Sequence, residues 1–133
     1  MSDVEVRSRG FTVVELLVVS VVLIAASFLF FIQKNNVEMT ARDDERKTAI
    51  NAMYYSLEEV FYEKNNYYPA YIDKDTLPYI DPALLSDPDG NKIGEAGSDY
   101  VYEPTDCRED KCTSYALSAN LENEEDFKKE SQN

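Results

Sequence analysis

The chain has no histidine, only two cysteines, and half as many basic residues as acidic ones. Without imidazole it lacks the commonest general base and the commonest zinc ligand. It carries no Gly-rich phosphate loop, no nucleophile elbow and no paired-cysteine metal knuckle. Cys107 and Cys112, separated by "REDK", would need two further soft ligands to hold zinc. These gaps lead to the expectation of a non-enzyme with no cofactor. The 13 Lys and Arg against 26 Asp and Glu leave a formal net charge of -13. Such a surface repels a polyphosphate backbone, and no basic stripe interrupts it, so no direct nucleic-acid partner is expected.

Proline and glycine are missing over a long interval, from Phe11 to Tyr68. Nothing in that interval breaks a helix. Its first part, "FTVVELLVVSVVLIAASFLFFI", is apolar or small except for Glu15. About 22 residues give about 33 Å of helix, the thickness of a bilayer core. A cleaved secretory signal is the alternative. The run exceeds an ordinary signal core, however, and no A-x-A pattern precedes "QKNN". Retention as a membrane helix is therefore expected. Arg7 and Arg9 before the run favour a cytoplasmic N-terminus, with the C-terminal part outside the cytoplasm. In that compartment a disulfide between Cys107 and Cys112 is expected, free thiols being the alternative.

A carboxylate inside such a run is costly, on the order of 2.5–3.5 kcal/mol at mid-membrane and less near an end. Glu15 can sit at headgroup level. It would also gain a cationic partner if the chain were cut after Gly10, because Phe11 would then carry a free amine.

At this point "RGFTVVELLVV" resembles the type III signal of type IV pilins and the related pseudopilins. The resemblance implies that a prepilin peptidase cuts between Gly10 and Phe11 and that the new Phe11 amine is N-methylated. It implies that Glu15 neutralises the Phe11 amine of an adjacent subunit during assembly. Its other implied partners are identical or related subunits in a helical polymer and an inner-membrane assembly platform. Ile24 and Ile32 stand where many pilins have a helix-breaking residue, so the resemblance leaves open whether this helix unwinds in a filament.

Beyond the apolar run, Ile50, Met53, Leu57, Val60 and Phe61 form an apolar stripe at helical spacing. Glu58, Glu59, Glu63 and Lys64 are expected on the opposite face, and "EMTARDDERKT" facing solvent or neighbouring subunits. A single helix from Phe11 to Lys64 would measure near 80 Å, ending at "NNYYP". That helix exit and the "DPDGN" turn extend the resemblance. Asp81-Pro82 marks a short helical turn over "PALL". "DPDGN" reads as a tight turn. A calcium loop is the alternative there, but Lys92 and Ser98 stand where an EF-hand needs Gly and Glu. "SDYVYEP" and "TSYALSANL" alternate as strands joined by the cysteine loop, with a third strand expected near Lys92–Ile93 unless the helix completes the layer. Glu122, Glu124, Glu125 and Asp126 open a tail expected to be frayed, although such oxygens can also bind calcium.

The expected fold is α+β: a long N-terminal helix packed on a small antiparallel β-sheet head, pilin-like. Its organisation is a leader over 1–10 and a transmembrane half-helix over 11–33. An amphipathic half follows over 34–66, a head over 67–121 and an acidic tail over 122–133. Three functions stand at this stage. The first is a type IV pilus subunit, held in the cytoplasmic membrane before assembly and extracellular afterwards. The second is a pseudopilin of a secretion or competence apparatus. The third is a bitopic membrane protein whose acidic head binds a ligand.

Overall fold

The computed structural model describes residues 10–133, so the expected leader, Gly10 apart, lies outside the described residues. Helix α1 runs Val13–Tyr55 without a break. The chain divides into two compact units within that helix, one ending at Val37 and the other running from Glu38 to Asn133.

In the first unit every residue from Gly10 to Val37 is exposed. Leu17, Val22, Ile24, Phe28 and Phe31 all present more than half of their surface. By length and composition this stretch is able to cross a membrane. Its backbone polar groups are satisfied within the helix, as a lipid environment requires. The hydroxyls of Ser20 and Ser27 donate back to the carbonyls of Leu16 and Leu23, at 2.7 and 2.8 Å. Thus neither serine interrupts the apolar surface with an unsatisfied donor.

In the second unit the helix buries the predicted stripe. Ala49, Ile50, Met53, Tyr54 and Leu57 form one wall of the core and Phe61 lies at its edge, whereas Val60, expected in the stripe, is exposed. The helix continues as a seven-residue π-helical segment, Ser56–Tyr62, and a short α2, Glu63–Asn65. It stops at Asn66, whose φ of 59° is a left-handed conformation that asparagine tolerates. Tyr68–Pro69, β1, follows at once and pairs with β3, Lys111–Cys112.

Strands β2 (Tyr100–Thr105), β4 (Ser114–Ala119) and β5 (Phe127–Glu130) form an antiparallel sheet in the order β2-β4-β5. The period of two in β4 sends Tyr115, Leu117 and Ala119 into the core. Leu117, which has no exposed surface, contributes about 1.5–3 kcal/mol of this burial. The fold is therefore α+β, with a long N-terminal helix and a β head.

Two expectations are corrected. The third strand is not at Lys92–Ile93, where Lys92 makes only an isolated bridge to Ser86. It is β5, inside the segment read as frayed. The reason is a short alternation: Phe127 and Lys129 turn inward, with Phe127 opposite Ala119 and packed on the core. The peptide N–H of Ser131 then donates to the Tyr115 carbonyl.

The loop from Ile72 to Asp99 follows its turn chemistry. The Asp81 side chain caps Pro82–Leu85 through the Ala83 N–H. In "DPDGN" the buried Asp87 carboxylate accepts from the N–H groups of Asp89, Asn91 and Asp99. Gly90 takes φ 90°, which the turn requires and glycine supplies without strain.

Candidate assembly site

Gly10 and Phe11 lie ahead of the helix in exposed, non-helical backbone, where a protease could reach the bond between them. Thr12 caps α1: its Oγ1 accepts the Glu15 N–H at 3.2 Å and its carbonyl accepts the Leu16 N–H at 3.1 Å. Thr12 and Glu15 therefore stand at the N-cap and third helical positions, the spacing of a capping box. A carboxylate in the first turn is also favoured by the positive end of the helix dipole. This local role is legible in "TVVE" and was passed over in the sequence. It leaves the Glu15 carboxylate exposed, four residues after Phe11 and without an ion pair among the described residues. The other residues singled out in the sequence, Cys107 and Cys112, form a disulfide that closes the loop between β2 and β4. They belong to the head and are described with it.

Sequence reasoning missed two polar clusters inside the head. The first lies in the charged stretch expected to face outward. Asp43 and Arg46 are buried, with 1% and 2% of their surface exposed. Asp43 accepts from the Glu122 and Asn123 peptide N–H groups at 2.8 and 2.9 Å. Arg46 donates to Asp43 at 3.0 Å, to Asp99 at 2.8 Å and to Glu122 at 2.8 Å. Arg42 closes on Glu122 with two bonds, 2.7 and 2.6 Å, and Lys47 pairs with Glu124 at 2.6 Å. One helix face thus straps down the start of the acidic tail.

Burial alone would raise the Asp43 carboxyl, but the two peptide N–H groups and Arg46 hold it below its usual range. Hydrogen bonds from Arg42 and then Arg46 bring Glu122 down to about 2. Burial disfavours the charge on Arg46, yet bonds to Glu122 and Asp99 keep its pKa raised.

The second cluster centres on Glu58, which is buried rather than solvent-facing. It stands four residues after Tyr54 and eight after Ile50, on the flank of the core stripe. Tyr68 and Tyr115 donate their hydroxyls to it at 2.9 and 2.8 Å, and the Gln132 N–H adds a longer bond. Burial, with Glu58 close by, lifts Tyr68 to about 12 and raises Tyr115 as well. These tyrosines remain protonated donors at any physiological pH.

Among the described residues no three acidic, cysteine or histidine side chains converge to hold a metal ion. Every buried side-chain nitrogen and oxygen described has a hydrogen-bond partner. The head's polar interior is therefore committed to holding the fold, and the site with unmet chemistry is the exposed N-terminal helix with Glu15. Comparison of the chain with family models, curated proteins and solved structures gave no match.

Proposed function

We propose that this chain is a structural subunit of a type IV pilus, cut by a prepilin peptidase after Gly10 and polymerised through its N-terminal helix. The observation that carries the reading is the exposed apolar helix from Val13 to Val37 with one carboxylate in its first turn. A lipid-facing anchor has no use for that carboxylate beyond helix capping. A docking helix uses it to receive the free Phe11 amine of a neighbour. Transfer of apolar surface from lipid to a protein bundle yields little hydrophobic gain. Close packing and the Glu15–Phe11 pair then supply affinity and register, in a heterologous array that extends without closing. The subunit would wait in the cytoplasmic membrane, N-terminus in, and reach the cell exterior on assembly.

Glu15→Gln keeps the size of the side chain and removes its charge. Under this reading it is cleaved normally and is lost from sheared filaments. Normal incorporation of Glu15→Gln contradicts the assigned role.

A second reading, a pseudopilin of a secretion or competence apparatus, is favoured by one feature, the tight "DPDGN" turn built around Asp87. It predicts a processed chain that stays in the membrane fraction rather than in sheared filaments.

A further inference from the structure

A crevice runs between the helix of the second unit and the loop that precedes β2. Along the loop from Asp75 to Pro88 it forms a trough made of three adjoining cavities. The largest, about 490 Å³, has Ala41, Thr48 and Ala83 among its walls. The next shares Leu84 with it and adds Ala52 and Val60. The third shares Val60 and Tyr79 with the second and ends at Lys64. From Ala41 to Lys64 the trough runs about 35 Å along the helix, the length of a helix of roughly twenty residues.

Its floor is small and apolar, and its rim is acidic. Asp44, Glu45, Glu59, Asp75 and Asp81 line it against Lys64 alone, with a sixth carboxylate, Asp87, buried in the turn beneath. The five rim carboxylates are exposed, and none is in an ion pair among the described residues. On a chain with net charge -13, this is a surface whose charge is uncompensated next to apolar walls.

A second copy of this chain is a poor match for that rim. Arg42, Arg46, Lys47 and Lys128 are engaged by carboxylates, and Lys111 and Lys129 lie over tyrosine rings. The other four cations of this unit, Lys64, Lys74, Lys92 and Arg108, sit on α2, the two turns before β2 and the cysteine loop, so the unit offers no basic helix to a neighbour. We infer that the trough is a docking site for a basic amphipathic helix of a different protein, its small apolar face on the floor and its Lys or Arg side chains on the rim carboxylates. Charge of this kind sets partner choice and speeds encounter, while the apolar floor supplies residence. The inference is independent of filament assembly and does not involve Phe11 or Glu15.

The test uses the full chain in nanodiscs and a fluorescent synthetic helix of about twenty residues, with Ala and Leu on one face and Arg on the other. Anisotropy is expected to show saturable binding. A peptide of the same composition with the two faces scrambled should bind at least about ten-fold more weakly. Two sets of variants probe the site. Glu45→Gln with Glu59→Gln removes charge, and Thr48→Trp with Ala83→Trp fills the largest cavity. Both residues replaced by Trp are exposed, and an unchanged far-ultraviolet circular dichroism spectrum and urea midpoint verify the fold. The inference requires each pair to weaken binding about ten-fold or more, the cost of a lost buried contact or charge pair. If only the charge variants matter, the attraction is unspecific and the inference fails. It also fails if the scrambled peptide binds equally, or if the chain itself dimerises through the trough and the Trp pair abolishes the dimer.

Discussion

Two stretches of the same helix lead opposite lives. From Val13 to Ile32 the residues are apolar but for Glu15, Ser20 and Ser27, and none is buried; from Glu38 to Tyr55 many are charged and two of the charged ones are buried. Hydropathy alone would assign the core to the first stretch. The contrast teaches that burial inside the chain follows from partners, not from apolarity. Asp43 and Arg46 are inside because each meets partners of opposite charge or peptide N–H groups there. Leu17 and Phe28 are exposed, on a stretch whose length and composition are compatible with crossing a membrane.

All ten tyrosines lie in the second unit, so tyrosine circular dichroism reports on the head alone and can separate the two regions. The largest expected effect is at Arg46. Arg46→Ala strips Asp43 of its cation and should cost about 3–5 kcal/mol in a urea titration of the chain in detergent. Membrane insertion of the N-terminal helix should not change. Leu117→Ala, at a site with no exposed surface, should cost about 2–5 kcal/mol in the same titration. Leu17→Ala, deleting as many atoms from the exposed stretch, should leave the tyrosine transition where it was. A comparable loss from Leu17→Ala would erase the contrast. Replacing Cys107 and Cys112 together by alanine should cost about 2 kcal/mol, because the loop it opens is short.

The smallest effects are those of pH, and they sharpen which contacts hold the tail. Asp43 and Glu122 are both held below their ordinary range, Glu122 at about 2. Unfolded carboxyls take up protons near pH 4, so the strap's contribution is whole above that and lost as pH falls towards about 2. At the other end, Tyr68 and Tyr100 are raised to about 12 by burial. Their contribution is whole below about pH 10 and lost as pH rises through 12. Urea midpoints should form a plateau between those limits. Arg42→Ala should weaken the acid shoulder of that plateau, since it removes one of the two cations on Glu122.

Much of the fold was legible because it rests on local signals. The unbroken helix follows from the absence of Pro and Gly, its end from "NNYYP", the short turn from Asp81-Pro82, and β4 from a period of two. What escaped was non-local. Nothing near Glu58 in sequence announces that Tyr68 and Tyr115 will bring hydroxyls to it, and the expectation that it faces away from the core is overturned by those bonds. The tail read as frayed because its charges outnumber its apolar residues. Yet Phe127 and Lys129 turn inward and β5 pairs with β4 along its length, and Glu122 is held by arginines some eighty positions earlier. At the N-terminus, "TVVE" carried both a helix cap and the candidate assembly carboxylate. Only the second had been read.

The most direct test of the pilus reading is an intact mass on the filament fraction sheared from cells that express the full chain. The account predicts an abundant species that begins at Phe11, carries one added methyl group and retains the Cys107–Cys112 disulfide. A chain that still begins at Met1, or a processed chain confined to the membrane, would contradict it.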